Sequence, residues 1–238
     1  MREIQTTADL IRASGGDPLI VWAAQGLDHG VRAWYDRDAV AVASPELSKR
    51  DRLAVSGPAD SAAGLVADVL AEVGPSFRPF GAEELVRELA DRVRGMQFAA
   101  AFGWMETVEA PDVTTTAAWL DGDAGVEALL TEAAPSSYAW PGRTGVRCWA
   151  AVTGDGGELL SIAADAWSAP EVGFLAGVAT RPVARGKGLS RQVCGFVTAE
   201  LIKRHGRAAL MVDGDNAAAI GLYCKLGYTY HRVAAAFV

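Results

Sequence analysis

The sequence predicts an α/β chain of the α+β type, and three observations carry that prediction. Two strand patterns, residues 146–153 and 159–166, flank Gly154-Asp155-Gly156-Gly157, a strong hairpin signal. Beyond them strand and helix patterns alternate: a strand over 171–180, a helix over 189–203, a strand over 208–212, a helix over 217–226, and a strand from Tyr228 onward. Ahead of them, residues 1–110 read as strands first and helices later, and a polar break at Glu109-Ala110-Pro111-Asp112 separates the two stretches. We therefore expect two domains, 1–110 and 113–238.

The elements of the first half follow from local pattern. Residues 8–13 read as a short helix, and the apolar run Pro18 to Trp22, bounded by Gly and Pro, suits a strand. Residues 31–35, 39–43 and 53–55 are further strands, the first two joined by Asp36-Arg37-Asp38. Leu65, Val66, Val69 and Leu70 mark one face of a helix over 61–73 that stops at Gly74-Pro75. A short strand over 76–80 precedes a helix over 81–93, whose face is Leu85, Leu89 and Val93. In the second half, 114–120 reads as a strand, 122–134 as a helix and 135–145 as a loop rich in Pro, Ser and Gly.

Composition narrows the function. Half of the 238 residues are hydrophobic and 21% are charged, enough for a sizeable core in a globular protein. No stretch approaches the length of a membrane span, and the first residues carry acids without an apolar run, so no leader is expected and the cytoplasm is the expected location. Cys148, Cys194 and Cys224 read as reduced thiols, and His29, His205 and His231 make no metal-ligand spacing with them, so no metal is expected. The net charge of −7 argues against nucleic-acid or anionic-membrane partners. Yet residues 172–199 contain no acid while holding Arg181, Arg185, Lys187 and Arg191, a cationic island that suits a specific anion site.

That island coincides with the most informative segment, Gly177 to Ser190. A strand runs into a loop bearing Gly186 and Gly188, and the loop opens directly into a helix with Leu189, Val193, Phe196, Val197 and Leu201 on one face. First-turn amides lack internal partners and sit at the positive end of the helix dipole, where anions bind. Taken alone, a Gly-x-Gly turn is equally a plain strand-to-helix connection. Rival phosphate motifs fit poorly: a dinucleotide fingerprint wants Gly at Arg191, and a Walker loop wants Gly at Arg181 and Ser or Thr at Gly188.

Arg185-Gly186-Lys187-Gly188-Leu189-Ser190 resembles the GNAT signature Arg/Gln-x-x-Gly-x-Gly/Ala, with Ser190 in place of the last small residue. Downstream, Asn216-Ala-Ala-Ala-Ile-Gly-Leu-Tyr223-Cys-Lys-Leu-Gly-Tyr228 resembles the family's second signature, Asn-x-x-Ala-x-x-x-Tyr-x-Lys-x-Gly-Phe/Tyr. The resemblance spans 113–238 and implies a mixed, mostly antiparallel sheet flanked by helices. The first half lacks both signatures, and a degenerate GNAT copy or an unrelated lid are both open readings of it.

The resemblance implies an N-acetyltransferase that moves an acetyl group from acetyl-CoA to a primary amine of a small molecule or protein. It implies that the strand end at Val178, Ala179 and Thr180 meets the pantetheine arm, and that Arg185, Gly186, Lys187, Gly188, Leu189 and Ser190 hold the pyrophosphate. Asn216 would contact the same arm or simply cap its helix. Tyr223, seven residues on, lies on nearly the same helix face about 10 Å further along and is the catalytic candidate, as a proton donor to the departing thiolate; packing is the alternative role. Glu158, Asp165 and Glu171 are the nearby carboxylates, and sequence singles out none of them as a base. Trp22, Trp34 and Trp104 suit an acceptor pocket or, one by one, the core. A non-catalytic acyl-CoA sensor is the alternative function.

Overall fold

The computed structural model describes residues 1–238. Its elements run β1 (Arg2–Ile4), α1 (Thr7–Ala13), α2 (Pro18–Ala24), β2 (Arg32–Asp36), β3 (Ala39–Leu47), β4 (Arg50–Ser56), α3 (Ala59–Val73), β5 (Arg78–Ala82), α4 (Glu83–Arg92) and β6 (Gln97–Thr107). A second series follows: β7 (Ala118–Trp119), α5 (Val126–Ala133), β8 (Val146–Thr153), β9 (Leu159–Ala166), β10 (Gly173–Thr180), α6 (Leu189–His205), β11 (Ala208–Asp213), α7 (Ala217–Lys225) and β12 (Thr229–Phe237). The α/β class expected from the sequence is the observed one, with mixed sheet pairing and seven α-helices.

Contacts divide the chain into two compact units. The first takes Met1–Trp104, Val212–Asn216 and His231–Val238; the second takes Met105–Met211 and Ala217–Tyr230. Each unit is therefore discontinuous in sequence.

In the first unit the strands lie in the order β1-β2-β3-β4-β5-β12. The pairs β1/β2, β2/β3 and β3/β4 are antiparallel and β4/β5 is parallel. β12 then adds antiparallel to β5, with Val233 opposite Ala82 and Ala235 opposite Phe80. The core on one face gathers Trp34, Leu53, Val55, Leu65, Val66, Val69, Val86 and Leu89, and takes Ala234 and Ala236 from β12. The helical faces read from the sequence are the ones buried: Leu65, Val66, Val69 and Leu70 on α3.

In the second unit the order is β11-β10-β9-β8-β7. Again three pairs are antiparallel, β7/β8, β8/β9 and β9/β10, and the next, β10/β11, is parallel. Helix α6 packs on β9 and β10. Apart from a second helix, α2, between the first two strands of the first unit, the two units thus share one order of strands and helices with one pattern of pairing.

Several local readings are corrected. Residues 18–22 form helix α2 rather than a strand: the Asp17 side chain accepts from the amides of Leu19 and Ile20, and Pro18 occupies the first turn, where its missing N–H costs nothing. The apolar run misled because all six residues from Leu19 to Ala24 are buried, which erases the helical period. Of the strand expected over 114–120 only Ala118–Trp119 remains, and the helix expected over 122–134 starts at Val126, after left-handed Gly125. Residues 81 and 82 belong to β5, so α4 starts at Glu83. β1 and β6 had no counterpart in the sequence reading.

Because Ala234 and Ala236 are fully buried and β12 zips onto β5, a chain ending at Tyr230 should lose at least about 3 kcal/mol of stability in its first unit, the scale of burying one or two apolar side chains. Urea unfolding followed by tryptophan fluorescence measures this, and an unchanged midpoint would contradict the assignment of β12.

Candidate active site

The site begins with a strand that loses its neighbour. β10 pairs with β11 through Gly173/Ala208 and Phe174/Ala209 and then no further, so its remaining six residues have no strand on that side. On the β9 side pairing continues but slips: Ala176 faces Ala164 and Ala179 faces Ile162, leaving one extra residue on β10. This is a β-bulge, centred on Gly177, whose φ of 63° is left-handed. A Cβ at Gly177 would lie 2.6 Å from the Trp149 ring and 3.1 Å from the Ala139 methyl, so glycine is demanded by both backbone and space.

Beyond the bulge the backbone alternates. The Ala179 carbonyl accepts from Ser161 Oγ at 3.3 Å, and the Arg181 amide donates to the Leu160 carbonyl at 2.9 Å, so both face β9. By the two-residue period of a strand, the backbone groups of Val178 and Thr180 face the open side. The backbone groups of Val178 and Thr180 are thus without a strand partner, whereas the Ala179 backbone is committed to β9.

The chain next makes a single 3-10 turn at Pro182–Ala184 and enters α6 through Gly186 and Gly188, with φ of 76° and 74°. Gly188 is the N-cap of α6; no side chain caps the helix, and its first turn carries no acid. Arg185, Gly186, Lys187 and Gly188 are exposed, and Leu189 and Ser190 are half-buried. Arg185 donates from Nε to the Thr180 carbonyl at 3.3 Å, which folds it back beside the open strand edge. Neither Arg185 nor Lys187 has an acidic partner, whereas Arg181 is bound to Glu132 and to the Leu159 carbonyl. Of the four cations of the island, Arg181 is structural, whereas Arg185, Lys187 and the exposed Arg191 have no acidic partner.

The first unit offers the contrasting case. There the parallel pairing of β4 and β5 runs over three residues, and Gly81 approaches so closely that a Cβ would lie 2.4 Å from the Val55 carbonyl oxygen. α3 packs against α4. At the start of α3 stand Asp38, bound to Ser61 Oγ, and Asp60, bound to Arg92. The closer strand approach and the two carboxylates make that position less suited to an anion than the start of α6.

Helix α7 carries Tyr223. It is the one buried residue of α7, and its ring lies 5.8 Å from that of Tyr228. The two phenols differ in their partners: Tyr228 hydrogen-bonds Thr198 at 2.8 Å, and Tyr223 has no hydrogen-bond partner in the protein. Burial pushes the Tyr223 phenol well above its ordinary value near 10, with the Cys194 thiol and Tyr228 phenol beside it adding to the rise. Cys194 itself is pushed up to about 12 by burial alone.

The helix α6 sets the height of these groups relative to the bulge. Gly173 packs against Leu201 and His205, with distances from its missing Cβ of 2.7 and 3.0 Å. Four strand residues on, at about 3.3 Å each, Gly177 lies about nine residues back along α6 at 1.5 Å each, close to Cys194. Tyr223, the neighbour of Cys194, therefore stands level with the bulge.

The remaining candidates fall into place. Asn216 is exposed just before α7, its amide donating to the Asp213 carbonyl at 3.0 Å. Asp165 is fully buried and held by Arg204 at 3.1 Å and Ser168 at 2.5 Å. Glu171 precedes Gly177 by six residues, about 20 Å along a strand, and Glu158 lies beside the Gly154 turn. Trp22, Trp34 and Trp104 are buried at 0%, 2% and 2% exposure and serve the core of the first unit. No group of three or more His, Cys, Asp or Glu side chains is placed to hold a metal ion. The bulge, Trp149 and Ala139 went unnoticed in the sequence, although a glycine inside a strand pattern is a recognised sign of a bulge.

A family profile described as FR47-like protein matches residues 155–236. A GCN5-related N-acetyltransferase from Kribbella flavida superposes with a TM-score of 0.58 at 18% identity, over 87% of this chain and 89% of its own. The chain has the GNAT acetyltransferase fold. A GCN5-related N-acetyltransferase from Sphaerobacter thermophilus shares the GNAT fold with a TM-score of 0.56 at 17% identity, covering 98% of this chain and 94% of its own. A Drosophila protein reaches 0.62 at 12% identity, over 100% and 98%. No curated protein sequence matches the chain. At these identities it is the architecture that is comparable.

Within this fold the two buried phenols supply a pH test. At pH 11 the folded chain should keep Tyr223 and Tyr228 protonated, since burial raises both, and should release those protons on unfolding. The stability they contribute is complete below the unfolded phenol value near 10 and is lost as the pH rises above it toward the raised folded values. Absorbance at 295 nm, read folded and in urea at pH 11, measures the difference. Equal phenolate content in the two states would place these side chains in water.

Proposed function

We propose that the second unit is an acetyl-CoA-dependent N-acetyltransferase acting on a primary amine. The observation that carries this reading is the junction of an unpaired strand edge with an uncapped helix N-terminus flanked by two unpaired cations. A pyrophosphate over the amides from Gly186 to Ser190 would receive hydrogen bonds from groups that otherwise have no protein partner. Arg185 and Lys187 add charge. The pantetheine arm, with two amides, would lie along Thr180 and Val178 as an added strand. Its length is comparable with an extended peptide of four or five residues, roughly 15 Å, which carries the sulfur to the bulge.

At that height the chemistry requires three events. A neutral amine attacks the thioester carbonyl carbon, forming the C–N bond; the C–S bond breaks; and the nitrogen gives up a proton while the sulfur gains one. Tyr223 is the donor to sulfur in this reading. A phenol with so high a pKa is a weak acid in water, but a thiolate formed in the same desolvated place is correspondingly more basic, as Cys194 illustrates, so the two remain matched. An amine of ordinary pKa, about 10.4, is neutral only about once in a few thousand at pH 7. With Asp165 paired to Arg204 and Glu158 and Glu171 remote from the bulge, water is the proton acceptor we favour for the amine. The first unit, with the same strand order and pairing but a closer strand approach and an acidic helix start, is read as a degenerate copy that binds no acyl-CoA.

Two substitutions test the reading. Gly188→Val places a branched side chain in a left-handed N-cap facing the phosphates; acetyl-CoA affinity by calorimetry should fall at least tenfold, about 1.4 kcal/mol. Unchanged affinity in a folded variant would put the phosphates elsewhere. Tyr223→Phe removes only the hydroxyl, so acetyl-CoA should bind nearly as before while turnover, followed by thiol release with an accepting amine, drops roughly 100- to 10,000-fold. Full turnover would remove Tyr223 from the mechanism, and binding without turnover by the unaltered protein across a broad amine panel would favour an acyl-CoA sensor.

A further inference from the structure

The face of the sheet opposite α6 is closed at the bulge by one side chain. Trp149 on β8 stands opposite Ala164 on β9, and Ala164 opposite Ala176 on β10, so the three side chains share a face. The adjacent row is Cys148, Asp165 and Leu175, and Asp165 is bound to Arg204 of α6. Since neighbouring residues of a strand point to opposite faces, the Trp149 row looks away from α6. Two alanines in succession leave the indole room to lie across the sheet, and its six-membered ring ends against Gly177.

This arrangement is rigidly supported. Trp149 is 3% and Ala139 is 1% exposed. The loop bearing Ala139 is bonded within itself, Ser137 Oγ donating to the Ala139 carbonyl at 3.0 Å and Trp140 Nε1 to the Ser137 carbonyl at 2.7 Å. Its end is fixed by Trp167, whose amide and indole N–H donate to the carbonyls of Gly145 and Thr144. On the α6 face the same height is filled by Leu175, Asp165 and Cys194, all buried at 2% exposure or less. An acyl chain that leaves a thioester carbonyl at the bulge toward the face away from α6 meets Trp149.

We propose that Trp149, backed by Ala139, is the residue that sets acyl-chain length, restricting the donor to short acyl groups such as acetyl. The inference rests on the acyl-CoA reading given above. The ring edge meets the backbone of the bulge at van der Waals range, so an acyl chain of more than a few carbons collides with it unless the indole is displaced. The aromatic wall also excludes water from the reacting carbonyl, which keeps hydrolysis of the thioester from competing with the amine.

The test compares acetyl-CoA, hexanoyl-CoA and unacylated CoA in calorimetry with the full chain, as wild type, Trp149→Phe and Trp149→Leu. Wild type should prefer acetyl-CoA to hexanoyl-CoA at least tenfold. The preference should shrink stepwise as the ring is shortened, by at least tenfold in Trp149→Leu. Trp149→Phe keeps an aromatic ring in the core and preserves the comparison if the leucine variant does not fold. Equal wild-type affinity for the two donors, or a preference that stays constant in a folded variant, overturns the gate while leaving acyl-CoA binding intact. Failure of wild type to bind either donor or CoA overturns the acyl-CoA reading and the gate with it.

Discussion

Backbone amides and carbonyls need partners, and the organisation of the second unit follows from one place where a strand stops supplying them. β10 and β11 hold each other for two residues and then part, which exposes a ladder edge in the middle of the unit rather than at a rim. Everything around the gap serves it. The bulge at Gly177 turns the strand, α6 begins where the strand ends, and α7 brings Tyr223 beside Cys194 of α6. An edge of this kind would invite aggregation on the outside of a sheet; enclosed, it becomes a template for an extended ligand.

The first unit shows what happens when the same topology is not opened. Its β4 and β5 remain paired, Gly81 brings the backbones into contact, and α3 and α4 close over them. Apolar burial on α4 is correspondingly firm, with Val86 and Leu89 at 0% exposure, whereas Ile220 and Leu222 on α7 remain half-buried. One unit has used its helices to complete a core; the other has kept the corresponding surfaces available. The divergence needs few residues: glycines with or without an adjacent carboxylate, and one pairing interaction continued or stopped.

Much of this was legible in the sequence where a local rule fixes the outcome. The strands 146–153 and 159–166 were bounded correctly because the four-residue Gly154 turn allows little else, and α6 and α7 were recognised because Gly188 and the pair Asp215-Asn216 mark their starts. The glycine loop and its cations were readable because a phosphate site is assembled from consecutive residues. Where burial is uniform the reading failed, as at α2, whose apolar residues show no period. The bulge was missed because a register slip belongs to two strands at once, and Trp149 meets Gly177 only after β8 and β9 have folded between them. That Arg181 belongs to Glu132 while Arg185 is free could likewise not be read from a run of four cations.

The placement of β12 bears on how the protein is made. Its residues complete the sheet of the first unit by pairing with β5, which lies roughly 150 positions earlier in the chain. On a ribosome the first unit must wait, with the β5 edge uncovered and the cavity for Ala234 and Ala236 unfilled, until residues 231–237 have emerged. At about 5–20 residues per second that delay is roughly 10–30 s. Synthesis of the second unit occupies the interval, so the first unit is completed only after the second has been made. A chain that stops before β12 would present the unfinished β5 edge of the first unit to chaperones and proteases.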